Sequence, residues 1–205
     1  MNTPAFFDAA PRIAVYDPLA EFLGAADGGR IEYGYGDAVK LAGHSCPTVA
    51  GAYLMTRAAL ARLYPDALPE RGGIRVDFAA SQSAGVTGVI AAVAGLVTGA
   101  AGTGGFKGLA GRYARRDLLT FDAAGADDMC VTRLDTGARA TLAYHPETVP
   151  AEPALQALMA AALSGTASAQ EREEFGRQWQ LRVKRILIDH CDDPALIECR
   201  IDAAD

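Results

Sequence analysis

The chain has 205 residues, of which 50% are hydrophobic and 21% are charged, with a formal net charge of −6. A chain of this size and composition can bury a sizeable core, and we expect a single domain over residues 1–205. The acidic balance argues against nucleic-acid binding, because neutralising phosphates requires clustered Lys and Arg. The densest basic cluster, Arg112 with Arg115 and Arg116, is short and is followed by Asp117.

Three sequence features bear on the cellular location of the protein. The cysteines Cys46, Cys130, Cys191 and Cys199 include no CxxC pair, so neither a zinc ribbon nor a thioredoxin-like motif is indicated. The first twelve residues lack the basic-then-apolar layout of a signal peptide. We therefore expect a cytoplasmic location with reduced thiols. The uncharged stretch between Asp77 and Lys107 is long enough for a membrane span. Its glycines, alanines and hydroxyl residues favour a buried helix instead, so we expect no membrane partner.

In the N-terminal part of the chain, the predicted elements begin with a short helix from Asp17-Pro18 to Gly24. The rest of the first thirty residues is interpreted as a variable lead-in. Residues 31–35 predict either a short strand or an arm leading to a helix. A helix is predicted from Pro47 to Tyr64, since its first half is apolar on every side, as in a fully buried helix. Gly85 to Thr98 is the second predicted buried helix.

The remaining pattern predicts strands first and then helices. Asp135-Thr136-Gly137 is a predicted hairpin turn, and Ser168 to Glu171 resembles a capping box at the start of a helix that runs to Ile188. The predicted strands are Ile74–Phe78, Leu118–Asp122, Met129–Leu134, Ala138–Tyr144 and Ala195–Ile201, and the other C-terminal helix is Ala154–Leu163. This order predicts an α/β (α+β) fold: a central mixed sheet packed by two buried helices, with a C-terminal helical extension over about residues 151–205.

The turn Gly43-His44-Ser45-Cys46-Pro47 is the main candidate site. Cys46 is predicted to cap the first buried helix, where unpaired amides and the helix dipole favour the thiolate, the form that binds metals or attacks electrophiles. His44 can direct its imidazole at the same point. Nitrogen and sulfur ligands together suit zinc and other borderline transition metals. The alternative is a small buried cysteine beside a surface histidine.

Two weaker candidates lie elsewhere. Residues 189–193, which include His190 and Cys191, carry metal-ligand side chains, although a solvated helix end is the favoured interpretation. The glycine-rich stretch 99–108 departs from a phosphate-binding P-loop, because Phe106 separates its glycines from Lys107 and Gly108 follows. Backbone amides at Gly104 and Gly105 could still hold an anion with help from Lys107, and the alternative is a packing loop.

The sequence of this turn and of the helix after it also resembles a known protein family. Residues 42–47, followed by a helix with Gly51, Ala52 and Tyr53, resemble the FmdE-like family of formylmethanofuran dehydrogenase proteins, which has a Gly-His-x-Cys-Pro-Gly turn before a Gly-Tyr-containing helix. The similarity continues through the strand at 74–78, the run 83–86 and the loop with Lys107, and ends near Phe121. It covers about residues 37–122.

The resemblance implies that His44 and Cys46 are metal ligands and that the protein is a homodimer. This chain departs from the family where Ser83-Ala84 replace a second cysteine, where Thr48 replaces a glycine, and in lacking a cysteine-rich tail. The missing ligand would come from Gln82, Ser83, or His190 and Cys191 in the tail, or else the site is lost.

Three functions stay open from the sequence. The first is binding, sensing or delivery of a transition metal or metal-centred cofactor, with Zn foremost and Ni, Fe or haem as alternatives, and with room for a small ligand. The second is a metal-dependent or Cys46-dependent enzyme acting on a small anionic substrate. The third is an accessory component of a redox complex.

Overall fold

The computed structural model describes residues 3–124 and 128–202 of the chain. The helices and strands are, in chain order, α1 Phe6–Ala9, β1 Ile13–Tyr16, α2 Pro18–Phe22, β2 Arg30–Tyr33, α3 Tyr35–Ala42, α4 Pro47–Leu63, β3 Ile74–Asp77, α5 Thr87–Thr98, β4 Leu119–Thr120, β5 Met129–Arg133, β6 Arg139–Tyr144, α6 Pro153–Leu163, α7 Ala169–Lys184 and β7 Ile197–Asp202. Short helical turns also occur at Asp27–Gly29, Pro146–Thr148 and Arg185–Asp189.

The main sheet has five strands in the order β4-β3-β5-β6-β7. β3 and β4 are parallel and the other neighbours are antiparallel, so the predicted mixed α/β fold is confirmed. The predicted hairpin joins β5 to β6, and Gly137 there has a φ of 75°, which glycine adopts without strain. β1 and β2 form a separate antiparallel pair.

α4 is the central buried helix, because residues on all its sides are apolar. It contacts β6 and β7 as well as α5. α5 begins at Thr87, two residues later than predicted, because turns occupy the residues just before it. Its 12 residues fall short of the roughly 20 that cross a bilayer. Within the described ranges, no helix combines the length and apolar character of a membrane span.

Part of the segment interpreted as a variable lead-in, the first thirty residues, belongs to the core. Phe7 and Val15 are buried, and β1 pairs with β2 along four residues. Tyr35, at the start of α3, is fully buried, and its ring contacts Phe7 and Tyr53 of α4. The alternation of apolar and polar residues in β1 was a weak signal in the sequence, because a strand of four residues has only two inward positions.

Asp17 joins this N-terminal region to the rest of the chain. Its carboxylate accepts hydrogen bonds from Arg71 Nη1 at 2.6 Å and Arg115 Nη2 at 2.7 Å, and it caps α2 through the amides of Leu19 and Ala20. Burial alone would raise the pKa of Asp17. The hydrogen bonds from Arg71 and Ala20 and the charge of Arg115 outweigh burial, and the pKa is lowered.

The C-terminal segment is more than a helical extension, because β7 completes the edge of the main sheet. β7 pairs with β6 along its whole length, from Tyr144↔Ile197 to Arg139↔Asp202. α6 and α7 pack on each other, and α7 also contacts α4.

Asp17→Asn tests the buried ion cluster. We expect it to lower the free energy of unfolding by about 3 kcal/mol near neutral pH, because it leaves the buried guanidinium of Arg115 and the partly buried one of Arg71 without their counter-charge. Since the folded-state pKa lies below the ordinary value, this stabilisation is present above the ordinary aspartate pKa and is lost as pH falls through the folded-state pKa. Urea unfolding at neutral and at strongly acidic pH should therefore give a larger difference at neutral pH.

The control is Glu32→Gln, which removes an exposed partner of Arg12 and should cost less than about 1 kcal/mol. If wild type and Asp17→Asn differ in the free energy of unfolding by the same amount at both pH values, this account is contradicted.

Gly51→Ala tests the packing of α4 against β6. A Cβ at Gly51 would lie 2.4 Å from the ring of Tyr144, so we expect the substitution to cost about 1–3 kcal/mol by overpacking. Gly176→Ala is the matched control, because Gly176 is also helical but has open space around it. It should raise stability by about 0.5–1 kcal/mol. Thermal unfolding that shifts the same way for both variants would contradict the prediction.

Candidate functional site

His44 and Cys46 line the same cavity, which has a volume of about 1070 Å³. Its walls come from the turn before α4, the loop after β3, the start of α5, the end of β6 and the inner face of α7. Most lining side chains are apolar; the polar groups besides His44 and Cys46 include Thr48, Thr87 and the charged residues Asp128 and Arg182. A mainly apolar cavity with a few polar groups is typical of small-molecule binding sites.

His44 is oriented by its own backbone. α3 ends at Gly43, whose φ of 75° turns the chain back on itself. His44 Nδ1 then lies 2.9 Å from the carbonyl oxygen of Ala42. Because a carbonyl only accepts, we assign the proton to Nδ1, which leaves Nε2 with a lone pair. Metal-binding histidines are oriented in this way by a hydrogen bond to the other ring nitrogen.

Cys46 caps α4, as predicted. Its backbone is extended, and Sγ accepts a hydrogen bond from the Val49 amide at 3.4 Å. Only 9% of the residue is exposed, and the residue lines the cavity. Cys46 is therefore largely shielded from solvent at a position beside the cavity.

Ser45, between these two residues, is fixed by α7. Its Oγ donates to Gln180 Oε1 at 2.9 Å, while Gln180 Nε2 donates to the Ser45 carbonyl at 3.2 Å. Trp179 Nε1 donates to the same carbonyl at 3.0 Å. The Tyr35 hydroxyl lies 2.9 Å from Ser45 Oγ, and burial raises the pKa of Tyr35, which keeps its hydroxyl protonated as the donor. We call these four hydrogen bonds the Ser45 clamp.

The clamp was not foreseen from the sequence. Gln180 lies 135 positions from Ser45, and no local pattern connects them. Trp179 packs against the core, as predicted, and it also lines the cavity and donates to the Ser45 carbonyl, which was not foreseen. Tyr35 was expected only as the end of a strand or arm.

Arg182 and Tyr144 also line the cavity, and each donates to backbone carbonyl groups. Arg182 Nε donates to the Val149 carbonyl at 2.8 Å, and Nη2 donates to the Pro146 carbonyl at 3.0 Å. Tyr144 donates its hydroxyl to the Pro47 carbonyl at 2.9 Å, and its amide donates to Asp128 Oδ2 at 2.9 Å. Burial raises the pKa of Tyr144, so this hydroxyl stays protonated.

The other predicted metal ligands do not line the cavity that contains His44 and Cys46. Gln82 and Ser83 belong to the loop beside the cavity, but they do not line it. His190 Nδ1 lies 2.8 Å from Asp193 Oδ2. Cys191 lines a different cavity of about 140 Å³, together with Cys199.

The glycine-rich loop packs tightly on its neighbours. The Gly105 amide donates to the Gly102 carbonyl at 2.9 Å, and a Cβ at Gly105 would lie 2.8 Å from Arg116 Cα. Gly104 and Lys107 are exposed. Close packing accounts for the glycine at 105, and anion binding by Gly104, Gly105 and Lys107 stays a prediction.

Two side chains of metal-ligand type, one with a nitrogen and one with a sulfur donor, line the cavity. In the part of the chain that the structure describes, no three His, Cys, Asp or Glu side chains are grouped so as to hold a metal ion. A structural zinc site takes four ligands. His44 and Cys46 alone fall short of that number.

The comparisons with known proteins add no family. No protein-family model matches the chain, and a search of curated proteins finds no match. The resemblance to the FmdE-like family stays a prediction carried by the turn residues.

Gln180→Ala tests whether the Ser45 clamp holds the turn. Removing two hydrogen bonds should loosen the turn, so we expect alkylation of Cys46 by iodoacetamide to speed up roughly tenfold. Mass spectrometry resolves each cysteine, and fully buried Cys130 is the internal control. Gln178→Ala, on the same helix, is the matched variant. A Cys46 rate that is unchanged in Gln180→Ala would show that the turn does not depend on the clamp.

Proposed function

We propose that the protein binds a metal-centred small ligand in the cavity, with His44 Nε2 and Cys46 Sγ as its protein ligands. The observation that carries this proposal is the position of both side chains in one largely apolar wall, with His44 oriented through Nδ1. Since the described residues lining the cavity include only these two His or Cys side chains, the metal's other positions would be filled by the bound molecule or by a second copy of the chain. A metal with coordination positions that this protein chain does not fill suits a binding, sensing or delivery role.

The size and polarity of the cavity favour a cofactor over a bare ion. A bare Zn²⁺ needs only a small polar cage, whereas this cavity has a volume of about 1070 Å³ and mainly apolar walls. Haem combines a metal with a large apolar body and is the probe that matches these features. Zn²⁺, Ni²⁺ and Fe²⁺ are the comparison ions.

Haemin titration of the purified protein tests the proposal. We expect a shifted Soret band with wild type, and a loss of affinity of more than about tenfold in both His44→Ala and Cys46→Ala, because each removes one protein ligand. His145→Ala and Cys199→Ala are matched controls, since neither residue lines the cavity. Light scattering of the same samples measures whether the predicted homodimer forms.

Two outcomes would overturn the proposal. One is a wild-type protein that binds neither haemin nor the comparison ions. The other is binding that His44→Ala and Cys46→Ala leave unchanged, which would place the metal elsewhere.

An enzyme is the second candidate, and one observation favours it. In the neutral tautomer that bonds the Ala42 carbonyl through Nδ1, His44 has its lone pair on Nε2 and lines the same cavity as Cys46, so the pair has the components of a base and a nucleophile. Alkylation of metal-free protein at neutral pH tests this candidate: Cys46 should react faster than the more exposed Cys191, and His44→Ala should abolish that preference. A Cys46 that stays inert would exclude nucleophilic catalysis by this thiol.

A further inference from the structure

We infer that the molecule bound in the cavity carries an anionic group, and that Arg182 is the residue that binds it. This inference rests on the proposed function in one respect, because it concerns the same cavity. It adds the chemical class of the ligand: an apolar body with a carboxylate or similar anion on one side.

Arg182 is a cation without an acidic partner among the residues that the structure describes. Two other arginines of the same C-terminal segment differ in this respect. Arg177 pairs with Glu174 at 2.7 Å, and Arg185 lies 3.7 Å from Glu152. A cation beside apolar walls is costly to desolvate unless an opposite charge compensates it, so a ligand that fills the cavity should bring one.

The guanidinium of Arg182 is also fixed in position before a ligand arrives. Its Nε and Nη2 donate to the carbonyls of Val149 and Pro146, which are neutral and leave the positive charge in place. A guanidinium has five N–H donors, so these two bonds leave others available for an anion. A side chain that is already immobilised loses little entropy when it binds a planar carboxylate.

Arg182 and Asp128 are the two Arg, Lys, Asp or Glu residues among the described residues that line the cavity. Asp128 is exposed and accepts the amide of Tyr144, and it forms no ion pair with Arg182 within the described ranges. His44 and Cys46 lie in the wall formed by the turn before α4. Arg182 is thus the one cationic side chain, apart from a protonated His44, among the described residues that line the cavity. The apolar surfaces of Ile90 and the Trp179 ring remain for the body of the ligand.

Two fluorescent probes separate charge from shape. Anilinonaphthalene sulfonate and N-phenylnaphthylamine share the same aromatic body, and only the first carries an anion. We expect Arg182→Gln to lower the affinity for the anionic probe by about tenfold or more, since the charge-assisted contact is lost. The affinity for the neutral probe should stay unchanged. Arg182→Lys, which keeps the charge, should lose less than Arg182→Gln.

Arg185→Gln is the matched control. Arg185 also donates to a carbonyl of the same segment, that of Pro150 at 3.2 Å, but it does not line the cavity. It should leave the affinity for both probes unchanged. The neutral probe serves as the folding control for every variant.

The results distinguish this inference from the proposed function. The probes contain no metal, so discrimination by Arg182 can hold even where haemin binding fails, and haemin binding through His44 and Cys46 can hold without discrimination. The inference is overturned if Arg182→Gln lowers the affinity for both probes equally, or if it changes neither affinity. It is also overturned if neither probe binds the wild-type protein.

Discussion

The Ser45 clamp makes the turn and the C-terminal helix one unit. His44 and Cys46 occupy their positions because the residue between them is bonded to Gln180, Trp179 and Tyr35. A turn of five residues has little internal structure to fix it, whereas a hydroxyl and a carbonyl bonded on several sides leave it a single conformation. α3, the turn before α4 and α7 thus meet at one residue.

The cavity follows from how α4 is packed. α4 is apolar all round, so it is enclosed by the sheet on one side and by α5 on the other. Gly51 allows the ring of Tyr144 to pass close to the helix and reach the Pro47 carbonyl. The end of β6 is therefore held beside the first turn of α4, and the space between that edge and α7 becomes the cavity.

Local signals in the sequence predicted the first part of this arrangement. Pro47 and the apolar run after it predicted α4, and the position of Cys46 predicted its capping role, because both patterns act within a few residues. The roles of Gln180 and Arg182 could not be predicted in the same way. Each depends on contacts between distant parts of the chain, which no periodicity or spacing encodes. The short elements β1 and α3 were missed because few residues carry their pattern.

Structural and chemical roles are separated within the turn, and this bears on the alternative of a buried cysteine beside a surface histidine. Ser45 makes the contacts that hold the turn. His44 uses only Nδ1, within its own backbone, and its Nε2 has no hydrogen-bond partner in the described residues. Cys46 makes one long contact, to Val49. Helix capping explains an acceptor at position 46, and serine or aspartate would cap more strongly. Cys46 belongs to the buried core and also lines the same cavity as an oriented imidazole, so packing and the proposed ligand role both bear on the thiol at this position.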